Sequence, residues 1–568
     1  MAFAPLDLAV LAVYLISVLA LGIWVARRAG ESEAGFFLAG RRLPWWLAGT
    51  SLIATSLSVD TPLGIAGLVE EHGIPGVWFA WCFALGGAGM LGYALFSELW
   101  RRSGVMTDAA FVELRYGGRG GAALRLVKAL YLGIFLNAFT LAWVLKAVTT
   151  LGAELMGGSP HLVLGVVLVL TLAYSAASGL WGVAVSDLPQ YFVILGTFSW
   201  LAIRSMARAG GPDGLAVALG ERFGAAEAAQ KLAFVPAPGE PFFGTFLAYL
   251  LLLWWVHRNA SAAGPVVQRL AACRDEGDAR RSTLLFTVGT FAVNYWPMVV
   301  MALAALALYP GLPAEVAVGR LFRDGLPPGL LGLAAAALLA AFMSTVDSHL
   351  NLGASYLVHD VIHRFVRPAA GERELVAWAR LSTAILLALA VGMAARMESV
   401  AGAWQLLSAL TAGYGPVTIV RWFWWRITAW SELAALLASG VVSFLVARWV
   451  PHLSFGAQLA LIAGATAPVW AGVALWGPEP HRPTVERFAR TVNPWGAWPG
   501  PGPASSLGGR LLLWLVGSGA LLATCFALGA AIFARRPLAA GLAVAAACGW
   551  ALFVRLDRRR PVAAQPPP

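Results

Sequence analysis

Apolar stretches long enough to cross a bilayer recur along the whole chain. They lie near residues 7–26, 44–69, 76–99, 124–156, 161–182 and 184–207, then 241–271, 283–308, 327–357, 374–396, 400–423, 428–449, 456–477, 511–534 and 538–556. A helix needs about 20 apolar residues to span the hydrocarbon core, so the pattern predicts about fifteen transmembrane helices. The expected fold class is therefore an all-α polytopic membrane protein, with backbone polar groups satisfied inside helices. The polar breaks at 210–240 and 478–508 are too short to be domains, and the Pro-rich 561–568 has nothing to bury and reads as a disordered tail.

Three segments place polar groups inside a predicted span. In the second span, Ala54-Thr55-Ser56-Leu57-Ser58-Val59-Asp60-Thr61-Pro62-Leu63-Gly64 puts a carboxylate and a helix breaker at mid-membrane. Backbone unwinds at that depth only inside protein or beside a water-filled cavity, and the freed carbonyls are then hard ligands for a cation. The plainer alternative is a Ser/Thr-rich packing face with a Pro kink. Five spans later a second interruption carries His257, Arg258, Asn259, Ser261, Gly264 and Pro265. Interrupted helices at corresponding positions of two halves are the signature of inverted-repeat transporters, which favours transport over kinking.

The third segment is Ala341-Phe342-Met343-Ser344-Thr345-Val346-Asp347-Ser348-His349-Leu350-Asn351. Ser344, Asp347, Ser348 and Asn351 recur at helical spacing on one face, with Thr345 beside them. A carboxylate among hydroxyls suits a dehydrated sodium ion. Asp187, at the start of a span, reads by itself as a helix cap. Lys128, Lys146 and Glu98 read as side chains that snorkel to the interfaces.

Composition sharpens this picture. Hydrophobic residues make up 59% of the chain and charged ones 12%, and the mean hydropathy of +0.73 excludes an ordinary soluble domain. The net charge of +11 would suggest a nucleic-acid partner, but the arginines sit in short loops between spans, where they report topology. No nucleic-acid partner is expected; the surroundings are membrane lipids. Arg27, Arg28, Arg41 and Arg42 place the first loop inside, so the N-terminus is expected outside and the C-terminus in the cytoplasm of an inner (plasma) membrane protein. Met1 to Leu8 lacks the basic start of a cleavable signal peptide. Arg535 and Arg536 break the rule, which suggests that the last two spans form a re-entrant or tilted pair. Trp422, Trp424 and Trp425 read as an interfacial belt. Cys82, Cys273, Cys525 and Cys548 lack the spacing of a metal site and read as small core residues. With no His-rich metal cluster, nucleophile motif or phosphate loop, the chain reads as a non-enzyme.

Three stretches together resemble the sodium:solute symporter family. They are Phe36-Phe37-Leu38-Ala39-Gly40-Arg41-Arg42-Leu43-Pro44-Trp45-Trp46 running into Ser51-Leu52-Ile53-Ala54-Thr55-Ser56, then Ser178-Gly179-Leu180 through Asp187 and Gln190, then Met343-Ser344-Thr345-Val346-Asp347-Ser348. The resemblance covers about residues 7–477. It implies a LeuT-like core of five plus five inverted-repeat helices, with a first span and loop at 1–43, repeats at 44–207 and 241–425, additional C-terminal helices at 428–556 and a tail at 557–568. It implies a principal sodium site from the carbonyls of Ala54, Leu57 and Ala341 and the hydroxyls of Ser344 and Thr345. A second sodium site would use Asp187, Ser344, Asp347 and Ser348, which raises Asp187 from cap to ligand. The solute would meet Ser56, Ser58 and Thr61, with Asp60 and Asn137. His257 and Arg258 offer a partner for an anionic solute, against the plainer reading of a paired or interface-facing Arg.

The expected function is sodium-coupled import of a small organic solute by alternating access, with Na+ as the co-transported ion. Sugar carriers of this kind present Asn and Glu or Gln around the first break and an acid on the next helix. This chain has Ser56, Asp60 and Thr61 and no acid near Ala80, which points away from sugars. Alternatives of the same fold are a proton-coupled carrier using Asp60, Asp187 or Asp347, and a non-transporting sensor. The solute, the ion stoichiometry and the oligomeric state stay open.

Overall fold

A computed structural model describes residues 3–29, 33–156, 160–499 and 506–559, so all but the first residues of the expected tail at 557–568 lie outside it. Among the described residues the architecture is all-helical, with no strand beyond an isolated bridge between Trp424 and Ala497. Among the described residues, eight helices are long and apolar enough to cross a membrane, or nine if a bent pair counts as one span. The chain divides into two compact units.

The first unit gathers Met1–Trp78, Lys128–Phe243 and Asn294–Leu406. Its relevant helices are α1 (Pro5–Ala29), α2 (Trp45–Ser56), α3 (Thr61–His72), α4 (Leu136–Met156), α5 (Pro160–Arg208), α6 (Leu330–Ser355) and α7, which starts at Val400 and ends at Thr411. The long α5 packs on α1, α2, α4 and α6, and α6 packs on α1 and α2 as well. The two spans expected at 161–182 and 184–207 therefore fall within one helix of 49 residues, and Asp187 sits in its interior, not at a cap.

The start of α6 is closed from a distance. Asp7 of α1 accepts the N–H groups of Gly329 and Gly332 at 2.6 and 2.7 Å with one oxygen and that of Ala4 at 3.0 Å with the other. Orphan N–H groups at a helix start need such an acceptor, and a carboxylate also complements the helix dipole. Asp7→Ala is expected to destabilise the protein by about 1–3 kcal/mol, with Asp7→Asn in between, read from melting in detergent; no change would show that water replaces the cap.

The second unit gathers Phe79–Val127, Gly244–Val293 and Leu407–Pro568. Here the helix ending at Val256 gives way to an extended His257, and a new helix starts at Pro265, where a proline costs no hydrogen bond. The span expected at 76–99 is itself interrupted: a short 3-10 turn, Cys82–Leu85, ends at Gly86, and a π-type turn restarts at Gly92. A Cβ on Gly87 would fall 2.2 Å from the Ala260 carbonyl oxygen, so this glycine-rich bend lies directly against the break after His257.

Several surface expectations give way to burial in this unit. Glu98 does not snorkel; it lies 3.0 Å from Arg510 and 3.2 Å from Arg280. Trp422 is fully buried and packs on Phe111 and Trp100 with ring centroids 4.6 and 5.1 Å apart, so it is a core residue and not a belt. Beside it Arg421 pairs with Glu432 at 3.0 Å, and the hydroxyls of Tyr116 and Tyr414 donate to the same carboxylate. Buried charges are tolerated when paired and hydrogen-bonded in this way. The last two helices, Leu507–Ile532 and Arg536–Arg558, are each long and apolar enough to cross a membrane. Cys82, Cys273 and Cys525 are core residues as expected, whereas Cys548 is exposed. In the first unit, Lys128 is likewise buried.

Candidate functional site

The first break lies where α2 ends and α3 begins, with the two axes bent by 55°. Leu57 leaves helical geometry (φ −93°, ψ 63°), and Pro62 in the first turn of α3 makes the restart possible. The loose ends of the break are tied by one side chain. Thr61 accepts the Ser58 N–H at 3.2 Å and donates to the Ser56 carbonyl at 3.2 Å. Thr61 thus holds the shape of the unwound turn, a role that composition alone did not distinguish from solute binding.

The polar face of α6 meets this break. Thr345 donates its hydroxyl to the Thr55 carbonyl at 3.0 Å, and Ser348 shares a hydrogen bond with the Thr55 hydroxyl at 2.9 Å. Asp187 of α5 closes the group: one carboxylate oxygen accepts from Ser344 at 2.6 Å and the other from Ser51 at 2.5 Å. Ser51, Thr55, Asp187, Ser344, Thr345, Asp347 and Ser348 are all buried, as are Ala54, Leu57 and Ala341. Three helices far apart in sequence therefore converge on one oxygen-rich locus, next to the point where α2 stops using its carbonyls.

The chemistry of this locus suits a hard monovalent cation. A serine that donates its proton outward to Asp187 keeps its oxygen lone pairs for a ligand, and the donated bond makes that oxygen more negative. Ala54 carries a lighter load than a mid-helix carbonyl, since it shares the Leu57 N–H with Ile53 at 3.2 Å against 2.8 Å. Gln190, directly after the helix-interior Pro189, donates to the Tyr14 hydroxyl of α1 at 3.2 Å, and Tyr14 lies near both Asp187 and Asp347.

The solute candidates separate. Ser58 and Asp60 are buried in the break, and Asp60 accepts from the Trp404 indole of α7 at 3.2 Å. Asn137 hydrogen-bonds His349: its amide donates to the His349 carbonyl at 2.7 Å and its oxygen meets His349 Nδ1 at 2.5 Å. His257 belongs to the second unit, where its ring stands edge-on to Phe83 and its Nδ1 accepts the Asn259 N–H at 3.3 Å. Ser51, Thr55 and Trp404 were not singled out in the sequence as site residues. Ser51 and Thr55 carried a signal nonetheless, since they lie one turn apart on the α2 face that continues into the break.

A family model described as the sodium:solute symporter family matches residues 36–439. A sodium/glucose cotransporter of Vibrio parahaemolyticus is 25% identical over 473 residues, covering 76% of this chain and 83% of the relative. A sodium/mannose cotransporter of Bos taurus is 26% identical and covers 91% of this chain and 95% of its own. In fold, the chain is similar to a Na+-coupled sialic acid symporter solved in a substrate-bound outward-open state, with a TM-score of 0.71 at 18% identity over 84% of this chain and 99% of that one. The chain belongs to the sodium:solute symporter family, and it is a multi-pass membrane transporter, not an enzyme, with Na+ as its co-transported ion.

Proposed function

We propose that the protein imports a small organic solute by alternating access, with sodium held between the first and eighth core helices, here α2 with α3 and α6. The observation that carries this reading is the Thr345 hydroxyl bonded to the Thr55 carbonyl at the end of α2, which joins α6 to the first break. Ala54, Leu57, Ala341, Ser344 and Thr345 would supply the principal site, and Asp187, Asp347 and Ser348 a second one sharing Ser344. The solute would sit against Ser56, Ser58, Asp60 and Thr61. The accompanying architecture is two inverted repeats at 44–207 and 241–425 among about fifteen spans, with the N-terminus outside and the C-terminus in the cytoplasm.

Ion number decides how far the solute is concentrated. One sodium ion entering down about 100 mV gains about 2.3 kcal/mol, and a tenfold gradient adds about 1.4 kcal/mol. Two ions give about 7 kcal/mol, enough for about five decades of accumulation at tight coupling. Sodium bound across α2 and α6 orders the break for solute, and by reciprocity the solute tightens sodium by the same factor.

The test is thermal stabilisation of the purified protein by sodium against potassium. Sodium alone is expected to stabilise the wild type, with Ser344→Ala and Thr345→Ala each weakening the response by at least about tenfold. A wild type indifferent to sodium, or variants that respond like it, would remove the site from α6.

A further inference from the structure

Asp60 is the group in the first break whose chemistry the fold leaves open. Its carboxylate is buried, and one oxygen accepts from the Trp404 indole; the other oxygen, Oδ1, makes no hydrogen bond within 3.5 Å, although the Ser58 hydroxyl and the Trp143 indole are polar neighbours of the carboxylate. The neighbouring polar groups are already committed, because Thr61 spends its hydroxyl on the backbone of Ser58 and Ser56.

Two structural roles can be set aside on geometry. Asp60 occupies the N-cap position of α3, yet its side chain makes no capping hydrogen bond and its backbone is already helical. Nor does it join the Asp187 group, whose serine donors come from α2 and α6. What surrounds Asp60 is aromatic. The Trp143 indole of α4 lies beside the carboxylate as a hydrogen-bonding neighbour, and the Trp404 ring lies so close over α3 that a Cβ on Gly64 would fall 2.3 Å from it. Glycine at that position lets the indole approach α3 one turn beyond Asp60.

A buried carboxylate with an open oxygen and two indoles beside it matches one ligand chemistry. An N–H cation can donate to Oδ1, neutralise the charge and rest its carbons against the indole rings. A neutral polyol leaves the anion uncompensated, and an anionic solute is repelled by it. We propose that Asp60 receives the protonated nitrogen of the transported solute, which is thus an organic amine or guanidine and not an uncharged sugar. This rests on the symport reading above, in which the solute lies against the first break.

The test uses the purified full-length protein with and without sodium, and asks whether added compounds raise its melting temperature. The probes are benzylammonium and methylguanidinium, set against benzyl alcohol and D-glucose. Benzylammonium is expected to act in sodium and to be preferred over benzyl alcohol by about 10- to 100-fold. Asp60→Asn should erase the preference, and Asp60→Glu, which keeps the charge, should retain part of it. Equal effects of amine and alcohol, a preference that survives Asp60→Asn, stabilisation by D-glucose alone, or no response to either cation would each overturn the assignment. If wild type also ignores sodium itself, the symport reading fails with it; if sodium still stabilises, only the solute class does.

Discussion

Asp187→Ala is expected to abolish sodium-driven uptake and to weaken the sodium response of the purified protein by about 100-fold or more. Asp187 takes the hydroxyl protons of both Ser51 and Ser344, so its removal strands two buried donors at once. Each then turns to find another acceptor, and Ser344 swings the oxygen that would face the ion. A purely structural role predicts a different result, namely a lower melting temperature with unchanged sodium affinity. Asp187→Asn separates the two contributions of the carboxylate, because it preserves shape and one acceptor while losing the charge and the second acceptor. It should fall between wild type and Asp187→Ala in a sodium titration, and equality with wild type would confine Asp187 to packing.

How much of this was readable beforehand depends on what a linear pattern can carry. The breaks at 56–61 and 257–264 and the polar face at 344–351 were legible, because polar groups inside a 20-residue apolar run have few physical explanations in lipid. Membership of the family was legible from the three stretches that resemble it, Phe36 to Ser56, Ser178 to Gln190 and Met343 to Ser348. Partners were not. Asp187 lies 136 residues from Ser51 and 157 from Ser344, and nothing in its local surroundings separates a capping aspartate from a bridging one. Asn137 had the composition of a solute ligand, and its hydrogen bonds to His349 were not readable from its position. Glu98 and Trp422 sat near span ends, where interface anchors and buried residues share the same sequence signature, so only the packed neighbours decide. The bend at 86–89 was missed because small glycines do not interrupt an apolar run, although they change what backbone can approach.

That approach sets up the second large effect, at Gly87 and Gly415. A Cβ on Gly415 would fall 2.1 Å from the Val256 carbonyl oxygen, and one on Gly87 would fall 2.2 Å from that of Ala260. The obstacle in both cases is backbone on either side of His257, not the flexible end of a side chain, so neither glycine can take alanine without moving the second break. Overpacking of this kind costs about 1–3 kcal/mol per site. Gly87→Ala and Gly415→Ala should therefore each lower the melting temperature and suppress uptake. The double variant carries the sharper information. If both glycines hold one element, the break shifts once and the second methyl group costs less than the first, so the double variant is expected to be less destabilised than the sum of the singles. Strict additivity would mean that the segments before and after His257 yield independently, and that the second break is not a single positioned unit.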